Sequence, residues 1–230
     1  MIDAKDNLSI QVHPDNEYAK RVEHEFGKTE IWYVIDATDD AQLVYGFKNK
    51  ISKEEFKKAI EENTLLDVLN TVKVKKGDLF FIEAGTVHAI GKGVLIAEIQ
   101  QNSNSTYRVY DYGRIGKDGK PRELHIKKAV DVSVTEPPKY DIKPMGETVK
   151  ADGYDSTLLT KCDLFTVNHY DVNKKLTLET DEKSFNHILV INGSGNINEK
   201  ELNKGDSFFV PAGYGKYEIT GNCEIIVTNI

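Results

Sequence analysis

Three short segments carry side chains suited to metal or acid–base chemistry. In Ser9-Ile10-Gln11-Val12-His13-Pro14 the strand period of two puts Ser9, Gln11 and His13 on one face, with Ile10 and Val12 on the other. In Gly27-Lys28-Thr29-Glu30-Ile31-Trp32-Tyr33, Lys28 and Glu30 are again two apart and aligned. His88 follows a Gly85-Thr86-Val87 turn at the end of an apolar run. Each segment alone has a plain structural explanation: the solvent face of a half-buried strand, a solvated pair at a strand start, a loop tip. Together they propose one constellation, with His13, Glu30, His88 and the amide oxygen of Gln11 forming a mixed nitrogen and oxygen ligand set. That set suits Zn(II) well and Mn(II), Co(II) or Fe(II) less clearly. A single carboxylate leaves such a site positive, so an open position would act as a Lewis acid on a hydroxyl or carbonyl oxygen. His24 lies between Glu23 and Glu25, and His125 and His169 have no ligand pattern around them.

The elements that must position these residues read as mainly β. Short β-branched and aromatic runs, Leu8 to Val12, Glu30 to Ile35, Gln42 to Phe47, Leu79 to Glu83 and Val94 to Gln100, are punctuated by Gly, Asn and Asp. Two stretches break the pattern. Pro14 to Phe26 spaces Tyr18, Val22 and Phe26 as on a helix, and Ser52-Lys53-Glu54-Glu55 is a capping box that opens a helix with Phe56 and Ile60 inward. An internal repeat organises the chain: Lys76-Gly77-Asp78-Leu79-Phe80-Phe81-Ile82-Glu83-Ala84-Gly85 recurs as Lys204-Gly205-Asp206-Ser207-Phe208-Phe209-Val210-Pro211-Ala212-Gly213. In each copy Gly-Asp turns the chain into a buried strand that ends in a second Gly-containing turn. The expected organisation is a domain over residues 1–135 with helical insertions, a Pro-containing linker over 136–152, and a second domain over 153–230. His88 becomes Lys216 in the second copy, so the second domain is expected to hold no metal, and His187 reads as a core or surface histidine.

Composition narrows the partners. With 30 Lys+Arg against 37 Asp+Glu, the formal charge of -7 argues against a nucleic-acid or anionic-membrane binder, while leaving room for a local cationic pocket. Only two cysteines occur, Cys162 and Cys223, and neither belongs to a CxxC pair, which fits a reducing cytoplasm. Neither a secretory leader nor an apolar run of membrane-spanning length is read in the chain.

The repeat resembles the second conserved motif of cupins, double-sheet β barrels that commonly hold a metal. More specifically, Ile10-Gln11-Val12-His13-Pro14, Gly27-Lys28-Thr29-Glu30, Gly85-Thr86-Val87-His88-Ala89 and Gln100 through Asp111 resemble the QxHP, GK[TP]E, GTxHA and QQxSDxTYRVYD motifs of type I mannose-6-phosphate isomerases, particularly their short bacterial form. That resemblance implies a double cupin, with one zinc ion bound through Gln11, His13, Glu30 and His88, and an essential arginine at Arg108. The implied reaction interconverts mannose 6-phosphate and fructose 6-phosphate through a cis-enediol. Arg108, Lys28 and Ser9 are then expected to hold phosphate or substrate oxygens. Glu98 lies on the apolar run Val94 to Gln100, where a carboxylate must be either paired with a cation or functional, and it joins the substrate-binding set. The sequence departs from the family pattern in two ways. Family members usually begin well before this chain does, with a strand and a Trp-Gly-Gly segment, so an exposed sheet edge covered by a second copy is expected. Asn104 stands where the family often has Asp. Two alternatives stay open: a cupin that binds metal and sugar phosphate without turnover, and a non-haem iron oxygenase, since two histidines and a carboxylate also form a facial triad. Gln11 and the Tyr107 to Asp111 stretch weigh against the oxygenase.

Overall fold

The computed structural model describes residues 1–230 and divides into two compact units, Met1–Ile142 and Lys143–Ile230. The first unit contains β1 (Ile2–Ala4), β2 (Ile10–Val12), β3 (Glu30–Ala37), β4 (Gln42–Phe47), β5 (Leu69–Lys73), β6 (Leu79–Ile82), β7 (His88–Ile90), β8 (Val94–Gln100) and β9 (Tyr107–Tyr110). They form two antiparallel sheets, ordered β1-β8-β3-β6 and β5-β4-β7-β2-β9. Both sheets stay open, and the edge strand β1 is only three residues long, which limits the unpaired backbone it offers to other chains.

The inner faces of the two sheets share one core. Trp32, Val34, Phe80, Ile82 and Ile96 from the first pack with Leu43, Tyr45 and Ile90 from the second. The outer face of the second sheet is covered instead by helices α2 (Lys53–Glu61), α3 (Leu65–Val68) and α4 (Ile126–Val132), which supply Phe56, Leu65 and Ala129 against Ile10, Val12, Ala89, Tyr107 and Val109. This arrangement reverses the simplest reading of β2. Its apolar residues, Ile10 and Val12, face the helices, while the polar set of Ser9, Gln11 and His13 falls on the alternate face toward the space between the sheets.

The capping box at Ser52 forms as the sequence predicts, with Glu55 N donating to Ser52 Oγ at 3.1 Å and Ser52 N donating to Glu55 Oε2 at 2.7 Å. Phe56 is fully buried edge-on to Phe47, at a ring separation of 5.1 Å. Helix α1 is shorter than the Pro14 to Phe26 spacing suggests. It runs Asn16–Val22, His24 adopts a left-handed backbone with φ 59, and Phe26 is 58% exposed. The chain must turn there because Gly27 passes against the backbone of Asp15, where an added Cβ would lie 2.3 Å from a carbonyl carbon. Helix α4 has no capping side chain and was not anticipated. Its last carbonyls are bound by Lys53 Nζ, which reaches Val130 O at 2.6 Å and also meets Ser133 O.

The second unit contains β10 (Val149–Ala151), β11 (Tyr154–Lys161), β12 (Thr166–Val172), β13 (Lys175–Thr180), β14 (Asn186–Ile197), β15 (Lys200–Asn203), β16 (Ser207–Val210) and β17 (Gly215–Asn229). The long strands β14 and β17 bend, the first at a register shift between Val190 and Asn192. This lets β17 pair with β13 along its first half and β12 along its second, folding one sheet around a core of Val172, Ile188, Val190, Tyr217 and Ile225. The sequence repeat is also a structural one. Gly77 N donates to Val34 O and Val34 N to Asp78 O, both at 2.9 Å; Gly205, Val190 and Asp206 make the same pair of bonds at the same distances. Gly77 and Gly205 hold φ of 91 and 96, a conformation that favours glycine. Glu30 opposes Ile82 in the first unit as Asn186 opposes Val210 in the second.

Truncating the Phe56 ring should test how far the sandwich relies on its helical cover. Phe56→Ala is expected to destabilise the fold by roughly 3–5 kcal/mol, read from urea unfolding midpoints at unchanged m-value.

Candidate metal centre and adjoining cavity

Three buried residues from different elements converge between the sheets: His13 just past β2, Glu30 at the start of β3 and His88 at the start of β7, with exposures of 1%, 0% and 0%. Their candidate ligand atoms all lie within 4.8 Å of one another. Glu30 Oε2 is 3.6 Å from His13 Nε2, and Oε1 is 3.5 Å from His88 Nε2. Gln11 pairs with His88 across β2 and β7, and its amide lies 3.5 Å from His88 Nε2. The nitrogen Nε2 occupies that place; a half-turn of the amide exchanges it for the oxygen that a metal would require. The backbone locks this arrangement through Gly85 N, which donates to His13 O at 2.8 Å, and Lys28 N, which donates to Pro14 O at 3.0 Å.

The imidazoles are oriented by main-chain carbonyls. His13 Nδ1 lies 2.9 Å from Ser105 O and His88 Nδ1 lies 2.8 Å from Thr86 O. Each carbonyl requires a proton on Nδ1, which leaves the Nε2 lone pair directed at Glu30, the arrangement typical of metal-ligating histidine. Burial holds His88 neutral, pushing its pKa down to about 4 against the opposing bond to Thr86; burial also pushes His13 well down, helped by His88 and Lys28. Burial raises the Glu30 carboxyl, with Lys28 pulling it back. His13 Nε2 and Glu30 Oε1 are buried without any hydrogen-bond partner. Two neutral imidazoles and a carboxylate left with unused lone pairs are costly as a purely structural core and fit a divalent metal ion.

Beside this cluster opens a cavity of about 360 Å³ lined by Ser9, Gln11, Lys28, His88, Glu98 and Arg108, with Trp32, Thr106 and Arg122 completing its polar wall. The sequence-predicted set is therefore brought together in one place. Lys28 Nζ lies 2.8 Å from Glu30 Oε2 and 3.8 Å from Glu98 Oε1. Glu98 Oε2 accepts from Trp32 Nε1 at 3.0 Å, a partner not expected from the sequence. Glu98 is thus both paired and exposed to the cavity, so the two sequence readings of it are not exclusive. Asn104 does not line the cavity and donates its backbone N–H to Glu25 at 3.4 Å. His187 lies outside the first unit altogether and bonds Ser207 Oγ through Nε2 at 2.7 Å.

A second electrostatic group stands at the arginines. Asp111, 6% exposed, accepts from Arg122 Nε at 2.7 Å and from Arg114 Nε at 3.1 Å, and also meets the Nη2 of both. Arg108 Nη1 donates to Glu123 O at 3.0 Å, while His125 N donates to Arg108 O at 2.8 Å, so the segment that follows Arg122 is tied to β9. Burial works to raise the Asp111 carboxyl, but the Arg122 and Arg114 guanidiniums hold it below its ordinary 3.8.

Comparison with known proteins separates the readings that this geometry allows. Over its full length the chain is 41% identical to mannose-6-phosphate isomerase ManA of Bacillus subtilis, spanning 73% of that protein. It is 37% identical to a mannose-6-phosphate isomerase of Streptococcus mutans, again over 100% of this chain and 72% of the relative. The chain belongs to the mannose-6-phosphate isomerase family. A crystal structure of mannose 6-phosphate isomerase from Bacillus subtilis superposes with a TM-score of 0.90 at 39% identity, covering 98% of this chain and 72% of the other. The family model for the mannose-6-phosphate isomerase cupin domain matches residues 155–230. The double-cupin fold class is thereby established, with two open, facing sheets in the first unit and a single folded sheet in the second. Of the residues around the cavity, the sequence motifs had singled out Ser9, Gln11, Lys28, His88 and Arg108; Trp32, Thr106 and Arg122 join them through tertiary packing.

A divalent cation should stabilise the wild-type chain through the buried cluster. At a hundredfold excess over Kd the gain is about 2.7 kcal/mol, visible as a rise in melting temperature that a chelator reverses and that Glu30→Gln abolishes. A separate test concerns Asp111: because its folded pKa is depressed, its stabilisation is present above 3.8 and is lost as pH falls through and below that value. Asp111→Asn should cost about 1 kcal/mol near neutrality, a modest figure because Arg114 and Arg122 are 33% and 44% exposed. Urea midpoints taken from about pH 6 to about pH 3 should show the gap between variant and wild type closing.

Proposed function

We propose that this chain is a zinc-dependent aldose–ketose isomerase that interconverts mannose 6-phosphate and fructose 6-phosphate through a cis-enediol. The observation that carries the proposal is the junction of a buried His13–Glu30–His88 cluster with a cavity containing Lys28 and Arg108, in a member of this family. His13, Glu30, His88 and the Gln11 amide would hold the ion, and the nitrogen and oxygen donor set suits zinc. When bound, it supplies Lewis acidity where negative charge develops on the C1 and C2 oxygens.

The remaining steps belong to the chain's own residues. Ser9 and Lys28 are placed to bind substrate oxygens, and Arg108, with its planar fork of donors, binds the phosphate. Glu98 is the one carboxylate among the cavity-lining residues; it accepts hydrogen bonds from sugar hydroxyls and places a proton acceptor beside the carbons that exchange hydrogen. Trp32 and Lys28 hold that carboxylate in position. The relatives give no support to a binding cupin without turnover.

A coupled assay for fructose 6-phosphate formation by the purified chain tests this reading. Turnover should require added zinc, and Arg108→Ala should lower kcat/KM by roughly a hundredfold or more. A folded, zinc-loaded wild-type chain that forms no fructose 6-phosphate would overturn the proposal.

A further inference from the structure

The cavity has one cationic residue that neither the motifs nor the proposed chemistry uses. Arg122 lies in the connection between β9 and α4, immediately after a hairpin closed by an antiparallel bridge between Ile115 and Pro121 and by Gly116 N donating to Lys120 O at 2.7 Å. Past the hairpin the chain returns to β9, where Glu123 O and His125 N both bond Arg108. The fold therefore sets Arg122 beside Arg108 on the wall of the same cavity.

The charges in this cavity are segregated. Those acting on His88 are Lys28 and Glu98, whereas those acting on Arg108 are Arg122, Asp111, Arg114 and Glu123. Lys28 sits between two carboxylates and has little positive charge to spare. At the other end, Arg114 and Arg122 pair with the buried carboxylate of Asp111, and Arg108 lies beside them with Glu123, so three guanidiniums against two carboxylates leave an excess of one positive charge. A phosphate monoester carries about -1.5 to -2 near neutrality, opposite in sign to that excess.

The donor inventory is consistent with this match. A guanidinium has five N–H donors, and Arg122 spends Nε and one N–H of Nη2 on Asp111, leaving three. Arg108 spends one on Glu123 O, and its Nε is buried with no hydrogen-bond partner. Both arginines line the same cavity and keep N–H donors that no protein acceptor takes, the chemistry that suits an anion.

We propose that Arg122 is a second phosphate-binding residue, paired with Arg108 and positioned by Asp111, which anchors the phosphate end of the substrate and makes the site select for a phosphorylated sugar. The proposal rests on the sugar-phosphate reading of the cavity and extends it to a residue outside the recognised motifs. The carboxylate of Asp111 fixes the Arg122 fork before the ligand arrives, so less side-chain freedom is lost on binding.

Two measurements on wild type, Arg122→Ala, Arg122→Lys and Asp111→Asn test this. Calorimetric titration with inorganic phosphate needs no turnover; steady-state kinetics with mannose 6-phosphate do. Arg122→Ala should weaken inorganic phosphate binding roughly tenfold to a hundredfold and raise KM by a similar factor, with kcat falling by less. Arg122→Lys should restore part of the phosphate affinity, and Asp111→Asn should lose part of it. Melting temperatures measured on the same samples exclude a mere folding defect. Phosphate affinity unchanged in Arg122→Ala, or no phosphate binding by the wild type, would overturn the assignment. A wild type that binds phosphate through Arg122 but does not isomerise mannose 6-phosphate would support the assignment while sinking the isomerase reading.

Discussion

The first unit is organised around one buried carboxylate. Glu30 is completely removed from solvent on a strand in the middle of a sheet, and placing an ionised group there costs several kcal/mol unless opposite charge and hydrogen bonds offset it. Lys28, two residues earlier on the same face, supplies one cation at 2.8 Å. The two neighbouring imidazoles are held neutral by burial and supply none. Their lone pairs face the same carboxylate because Ser105 and Thr86 carbonyls occupy the opposite ring nitrogens. Such a constellation is electrostatically incomplete as protein alone and could hold a metal ion. The packing of the two sheets, the turn at Gly85 and the close passage of Gly27 by Asp15 all bring polar side chains from separate parts of the chain to this carboxylate.

The second unit shows what the same frame does without that charge. The Gly-Asp turn, the strand that follows and the bonds to Val190 reproduce those of the first unit. At the position of Glu30, however, stands Asn186, whose side chain donates to Tyr217 Oη at 2.8 Å, in a buried pairing of neutral groups. Neutral partners satisfy one another inside a core at little net cost. The replacement of Glu30 by Asn186, together with that of His88 by Lys216, thus leaves the second unit without the buried carboxylate and imidazole that gather in the first.

The distribution of charge matters more than its total. The chain carries a formal charge of -7, yet its cavity gathers Lys28, Arg108 and Arg122 around a single lining carboxylate, Glu98. Lys28 is committed to the carboxylates of Glu30 and Glu98, whereas Arg122 is held by Asp111 and Arg108 by the Glu123 carbonyl.

Much of this architecture was legible in the residues themselves. Strands Gln42–Phe47 and Val94–Gln100 lie where the apolar runs place them, and Ser52 with Glu55 forms its capping box, because these features depend on neighbours within a few residues. The alternation of Gln11 and His13 with Ile10 and Val12 was equally clear. Its sense was not, since periodicity separates two faces without saying which is covered; helices α2 and α4 decide it by packing on the apolar side. Helix α1 ended early for a similar reason, the backbone approach at Gly27 overriding the spacing of Tyr18, Val22 and Phe26. Trp32 beside Glu98, Arg122 beside Arg108 and the carbonyl of Ser105 on His13 had no local signal, because each pairing joins distant parts of the chain, 92 residues apart in the last case. The sequence by itself determined the repeat, the family and the side-chain types in its motifs; only the tertiary structure decided which polar face was interior, which ring nitrogen faced Glu30 and which arginines shared a cavity. Side-chain type and local periodicity are written residue by residue, whereas desolvation and hydrogen-bond partnership exist only once remote strands have packed.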